Sequence, residues 1–322
     1  MNVGRLLEAL KRSRYDLRGK VAVVTGGSRG LGLLIARVLA KRGARVVIAG
    51  RDGETLEDAK RWLARHGCNA ISVAVDVGEP RGPKKLVDAV LEQYGSIDVL
   101  VNNAGTIEVG PYDAMVEEDF KRAIDTHFWG PLRLIDEVVP HMRAIGGGRI
   151  VNIVSVGGLV SVPHLLPYSA SKFALRGLSL GLHAELAESG IVVSTICPGL
   201  LRTGSPRNAT FKGDANKEYA WFAVSDALPL LSMSADRAAK RIVRACERGE
   251  AHVVLTLPAK VAALANGVFP ATTARVLSVV AALLPRGTNT QPKRGKEVDG
   301  DAPGLLTRLG DVAAVQNNEV RS

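Results

Sequence analysis

Lys20-Val21-Ala22-Val23-Val24 runs directly into Thr25-Gly26-Gly27-Ser28-Arg29-Gly30-Leu31-Gly32. The first five residues form a short apolar, β-branched run that reads as a buried strand. After the glycines, Leu31, Leu34, Ile35, Val38 and Leu39 recur at the spacing of one helix face. Strand, glycine loop and amphipathic helix in that order form a phosphate-binding turn. Glycines let the backbone approach a pyrophosphate closely, and the free N–H groups of the helix N-terminus favour an anion.

The pattern repeats along the chain. Ala44–Ala49, Ala70–Val75, Ile97–Val101, Gly148–Ser155, Ile191–Cys197 and Ala251–Leu255 read as further strands, separated by segments of helical period. Such alternation predicts a single-domain α/β fold, a Rossmann-type doubly wound parallel sheet with right-handed crossovers. Ligands of such sheets bind outside the carboxyl ends of the strands, where Gly26, Asp76, Asn102, Ser155 and Pro198 fall.

Pro167-Tyr168-Ser169-Ala170-Ser171-Lys172 carries the chemistry. At i and i+4 on a helix, Tyr168 and Lys172 share a face. An ammonium beside a phenol favours the phenolate and brings a group with an ordinary pKa of about 10 toward general acid/base work. Ser155, at a strand end upstream, supplies a hydroxyl for the same substrate oxygen.

These residues together resemble the classical short-chain dehydrogenase/reductase (SDR) family, over about 17–255. The family's Thr-Gly-x-x-x-Gly-x-Gly is met by Thr25 to Gly32, and its Asn-Asn-Ala-Gly by Asn102-Asn103-Ala104-Gly105. Its acidic residue near the adenine is met by Asp76, followed by Val77, its catalytic Ser, Tyr and Lys by Ser155, Tyr168 and Lys172, and its Pro-Gly then Thr by Pro198, Gly199 and Thr203. The resemblance implies hydride transfer between a nicotinamide cofactor and an alcohol or carbonyl substrate. The expected cofactor contacts are Thr25, Gly26, Ser28, Arg29, Gly30, Leu31, Gly32, Arg51, Asp76, Val77, Asn103, Ala104, Gly105, Tyr168, Lys172, Pro198, Gly199 and Thr203. It also implies a homodimer or homotetramer. A nonenzymatic NADPH-binding protein on the same fold is the alternative, because fold alone does not establish activity.

Two positions refine that expectation. Many relatives carry an Asn where this chain has His127, and there it holds a water that relays protons to the Lys. An imidazole also accepts and donates hydrogen bonds, so His127 is a candidate for the relay, against the reading in which it merely fills space. At the end of the second strand, Arg51, with Arg29 in the glycine loop, suits the 2′-phosphate of NADP(H). Asp52, next in line, would suit NAD(H) if the strand ran one residue further.

The 322 residues are 46% apolar, enough for one large core, and exceed what the motifs need. Three dispersed cysteines, Cys68, Cys197 and Cys246, suggest neither disulfides nor a metal site and point to a reducing, cytoplasmic setting. The net charge of +10 comes with no nucleic-acid-binding motif. Residues 1–16 read as a basic amphipathic extension with Arg5, Lys11, Arg12 and Arg14, and 17–257 as the catalytic domain, with an aromatic-rich specificity lid at about 204–235. Residues 258–322 read as apolar segments, a flexible linker over Gln291–Asp301 and a last helix around Leu305–Val315. The apolar pieces are interrupted by Asn266, Pro270 and Arg275, which suits a protein contact first and a peripheral membrane contact second rather than a spanning helix.

Overall fold

The computed structural model describes residues 14–227, 232–298, 310 and 312–319. Its centre is a seven-stranded parallel sheet of β1 (Val21–Thr25), β2 (Arg45–Gly50), β3 (Ala70–Ala74), β4 (Val99–Asn102), β5 (Gly148–Ile153), β6 (Ile191–Cys197) and β7 (His252–Val254), in the order β7-β6-β5-β4-β1-β2-β3. The order reverses between β1 and β4, which opens a crevice at the carboxyl ends of those strands.

Side chains alternate across the sheet, and each face has its own core. Ala22, Val24, Val46 and Ile48 pack toward α1 (Gly30–Lys41), α2 (Gly53–Arg65) and a helix at Ala235–Arg248. Val21, Val23, Val47 and Leu100 pack toward α3 (Gly82–Tyr94) and a helix at Gly130–Ala144. Each fully buried Val or Leu contributes roughly 1.5–3 kcal/mol, so these faces outweigh the exposed ion pairs such as Arg18–Asp16. All three cysteines are free and lie inside, at 4%, 0% and 2% exposure for Cys68, Cys197 and Cys246. Burial pushes the Cys197 thiol up to about 11 and that of Cys246 up to about 12.

Polar groups also cross the sheet. Register places Asn102 of β4 beside Asn152 of β5, and Asn152 beside Thr195 of β6. Asn102 Nδ2 donates to Asn152 Oδ1 at 2.8 Å, Asn152 Nδ2 donates to Ser179 Oγ at 3.0 Å, and Ser179 Oγ lies 2.7 Å from Thr195 Oγ1.

Outside the central sheet, described parts of the extensions pack against the domain. The expected linker is ordered where it is described: Lys293–Arg294 pairs antiparallel with Thr210–Phe211, and Val298 of the following turn is 5% exposed. A two-residue strand offers no sequence period, so only its partner reveals it. The aromatic stretch is a packed body, with Phe211, Tyr219 and Phe222 buried against Val109 and Val298. Of the basic extension, residues 1–13 lie outside the described residues, whereas Arg14 reaches Glu247 at 2.7 Å. The last helix is described at 310 and 312–316; its expected start at 305–309 lies outside.

The apolar segments after the sheet form a helical hairpin, Leu257–Val268 and Pro270–Leu283. Ala262, Ala263 and Leu277 pack on Val154, Leu159 and Leu175. Leu257, Leu264, Phe269, Val279 and Leu283 are exposed. Among the described residues no helix is long and apolar enough to cross a membrane.

Candidate active site

The glycine loop is locked to the end of β4. Thr25 Oγ1 accepts hydrogen bonds from the backbone N–H groups of Asn103 at 2.9 Å and Ala104 at 3.0 Å, and donates to Val101 O at 3.3 Å. Asn103 Nδ2 donates to Thr25 O at 3.0 Å and Gly26 O at 3.3 Å. The side chain of Asn103 therefore ties two loops together. Gly26 adopts φ +62°, and a Cβ on Gly32 would stand 2.2 Å from Gly26 O. Only glycine fits there.

Gly30, Leu31 and Gly32 open α1, whose first turn carries no acidic residue. This cradle and the amides of the helix N-terminus fit a pyrophosphate. At the neighbouring strand ends, Arg51 Nη1 lies 4.0 Å from Asp76 Oδ2, and Asp76 Oδ1 accepts from the Gly78 N–H at 2.9 Å. β2 ends at Gly50, and Asp52 Oδ1 accepts from the Thr55 N–H at 2.9 Å as the N-cap of α2. Arg51 rather than Asp52 thus stands at the strand end. Ser28 lies close by, its Oγ 3.7 Å from where a Cβ on Gly50 would be.

Tyr168 and Lys172 sit one turn apart in α4 (Leu166–Glu185), with the Lys172 Nζ 5.6 Å from the Tyr168 ring centroid. Lys172 Nζ donates to Ile153 O at 2.8 Å. Its burial lowers the ammonium pKa to about 7. Ser155 follows β5, and its Oγ accepts from the Gly157 N–H at 3.0 Å. A Cβ on Gly157 would lie 3.1 Å from Tyr168 Cε1, and one on Gly158 2.8 Å from Lys172 O. The short turn Val156–Gly158 thereby brings Ser155, Tyr168 and Lys172 into one cluster. Tyr168, Ile107, Val162 and Trp221 border one apolar cluster that includes Leu165 and Phe211.

His127 lies in a π turn, Asp125–Trp129, and is fully buried. Burial first, and then the Lys172 charge, hold its imidazole well below the usual histidine value, so the ring is neutral. Nε2 accepts from the Thr106 N–H at 3.1 Å, which leaves Nδ1 as the protonated nitrogen facing Ser171 Oγ at 2.7 Å. Ser171 Oγ in turn donates to Tyr168 O at 2.8 Å, and the His127 ring meets the Tyr168 ring edge to face at 5.4 Å. Both ring nitrogens are thus engaged, and the ring links the end of the Asn-Asn-Ala-Gly loop to the helix that carries Tyr168.

The remaining expected contacts lie around the same crevice. Pro198 O accepts from the Val156 N–H at 2.6 Å, and a Cβ on Gly199 would be 2.1 Å from Thr256 Oγ1. Thr203 Oγ1 donates to Ser205 Oγ at 2.7 Å and accepts from the Ser205 N–H at 3.2 Å. Val77 O is 2.7 Å from where a Cβ on Gly130 would stand, and Gly105 presses on His127 Nε2 in the same way at 2.9 Å. Two features escaped the sequence reading. His164, at φ +63°, holds Glu218 Oε1 at 2.7 Å while Trp221 Nε1 donates to Glu218 Oε2 at 2.6 Å. In addition, Asn317, Asn318 and Glu319 reach back onto the glycine loop. No motif or period signals either one.

Comparison with known proteins agrees with this geometry. The family model described as short chain dehydrogenase matches residues 20–212. SadH of Mycobacterium tuberculosis is 35% identical over 248 residues, covering 76% of this chain and 89% of SadH. Among solved structures, a short-chain dehydrogenase from Streptomyces avermitilis superposes with a TM-score of 0.70 at 31% identity, covering 82% of this chain and 97% of that one. L-sorbose reductase from Gluconobacter frateurii, complexed with NADPH and L-sorbose, gives 0.67 at 29% identity, covering 76% and 97%. With the glycine cradle and the Ser155–Tyr168–Lys172 cluster on one crevice, the chain belongs to the short-chain dehydrogenase/reductase family, oxidoreductases that act on alcohol or carbonyl groups with NAD(P).

Proposed function

We propose that the chain is an NADP(H)-dependent oxidoreductase that interconverts an alcohol and a carbonyl on a substrate with an apolar body. The observation that carries this reading is the Tyr168–Lys172 pair, one turn apart and joined to Ser155 through Val156–Gly158, beside a glycine cradle. The preference for NADP(H) over NAD(H) rests on Arg51 at the end of β2, with Asp52 engaged as a helix cap. The NADPH in the sorbose reductase structure is in keeping with it. The dinucleotide, held by Thr25–Gly32, Arg51, Asp76, Ala104, Gly105 and Thr203, supplies or accepts the hydride when bound.

The protein's own residues do the rest. Ser155 and Tyr168 hydrogen-bond the carbonyl oxygen, and Tyr168 donates its proton to that oxygen during reduction or takes it from the alcohol during oxidation. Lys172, when charged, stabilises the deprotonated Tyr168. His127 positions Tyr168 through Ser171 and the ring contact. The apolar body would lie among Ile107, Val162 and Trp221, under residues 204–227 acting as lid.

Contact with a second copy is assigned to α4, which exposes Phe173 and Leu180, and to the helical hairpin. The stretch 257–296 holds Lys260, Arg275, Arg286, Lys293, Arg294 and Lys296 and no acidic residue, so an anionic membrane surface is the second occupant considered. Oligomer size and vesicle binding of Leu264→Glu separate the two. The deciding experiment for activity is turnover of NADPH and NADH against apolar ketones and secondary alcohols, with Tyr168→Phe alongside. NADPH-dependent turnover lost in Tyr168→Phe, with cofactor binding retained, is expected. Undiminished turnover in that variant would refute the role of Tyr168 as proton donor and acceptor.

A further inference from the structure

The C-terminal segment 312–319 occupies the mouth of the glycine cradle. Gly30 N–H, the first amide of α1 and thus a donor that a bound anion would take, donates to Asn317 O at 3.0 Å. Asn318, in the left-handed region at φ +59°, donates through Nδ2 to Ser28 O at 3.1 Å. The Glu319 N–H closes the turn on Ala314 O at 2.9 Å. The Glu319 side chain then enters between the two loops: its Oε1 lies 3.1 Å from where a Cβ on Gly30 would be, and its Oε2 2.9 Å from where one on Gly204 would be. Ala314 is fully buried, and its Cβ lies 2.8 Å from that same position on Gly204.

We propose that residues 312–319 are an autoinhibitory strap that competes with the dinucleotide for the cradle formed by Ser28, Gly30 and Gly204. The inference rests on the dinucleotide-binding reading of that cradle. A pyrophosphate needs the amides and the space that Asn317, Asn318 and Glu319 fill, and a second acidic group cannot share them. The buried Glu319 Oε1 accepts no hydrogen bond from the described residues, while Oε2 lies 3.5 Å from the Asn208 Nδ2 donor, so the carboxyl is only partly satisfied in the docked position. Burial pushes the Glu319 carboxyl up to about 7, against the pull of the Gly204 N–H and the Arg29 charge. Because only the open form takes up cofactor, the apparent affinity is the intrinsic one multiplied by the open fraction.

The test uses the full chain. NADPH titration by fluorescence compares the natural protein with Ala314→Asp, which places a charge in the strap's buried contact. Hydrogen exchange of 312–319 is followed in the natural protein with and without saturating NADPH. The strap predicts at least about threefold tighter NADPH binding by Ala314→Asp and an unchanged kcat. It also predicts faster exchange across 312–319 when NADPH binds. Slower or unchanged exchange there, or weaker binding by Ala314→Asp, overturns the strap while leaving the dinucleotide reading intact. Absence of NADPH binding by both proteins overturns that reading, and the strap with it.

Discussion

Thr25 makes the sharpest test of how the site is held together. Its hydroxyl accepts from two backbone donors, Asn103 N–H and Ala104 N–H, and the residue is 1% exposed. Thr25→Val keeps the volume, so no cavity forms, but both part-buried amides lose their acceptor. At about 1–3 kcal/mol for each unsatisfied buried donor, two donors would cost about 2–6 kcal/mol, and their partial burial sets the expected cost at about 2–3 kcal/mol. Thr25→Ser keeps the oxygen and loses one methyl, for about 0.8 kcal/mol. Urea unfolding followed by tryptophan fluorescence measures both, and NADPH titration of the folded variants should show weaker binding by the valine protein, because the glycine loop is no longer fastened to β4. A valine cost below about 0.5 kcal/mol, or no greater than that of serine, would refute the claim that this hydroxyl joins the two loops.

Three further outcomes are expected. His127→Ala should lose about 1–3 kcal/mol of stability through the abandoned Thr106 N–H and should lower turnover, with the pH profile of kcat unmoved because the ring is neutral; His127→Asn should recover part of the loss, and a shifted profile would restore the proton-relay role. Lys172 has a folded pKa of about 7 against an ordinary 10.5, so the unfolded chain holds more protons between those values. Stability should therefore rise with pH through that window relative to Lys172→Met, as read from urea midpoints near pH 7 and near pH 9. The docked Glu319 holds its proton to about 7, against an ordinary 4.5, facing Arg29 from the glycine loop and the Gly204 N–H and Asn208 amide from the other side. Docking should weaken as pH rises through that window, so NADPH affinity should increase over the same range more in the natural protein than in Glu319→Gln.

What the sequence disclosed was local. The strand–loop–helix order at Lys20–Gly32, the Tyr168–Lys172 spacing and the alternation of strands each depend on neighbours along the chain, and each appears at its expected place. Asp52 left the cofactor question open because a strand boundary cannot be fixed from propensity, and only the Thr55 N–H bond fixes it. The engagement of both His127 nitrogens needed Thr106 and Ser171, brought in from separate elements. Most distant is the contact of Asn318 with Ser28, 290 positions apart, where no periodicity connects the partners. The ordering of Lys293–Val298 belongs to the same class, since a two-residue strand exists only through its partner at Thr210–Phe211.

The three buried thiols, distributed between β6, the helix at Ala235–Arg248 and the loop from α2 to β3, make the protein its own unfolding clock. In the folded state none is open to an alkylating reagent, since each is at most 4% exposed. Maleimide capture, resolved by peptide, would therefore time the opening of each part of the sheet separately, with no probe to be engineered. A single cysteine introduced on the surface would label cleanly against that silent background.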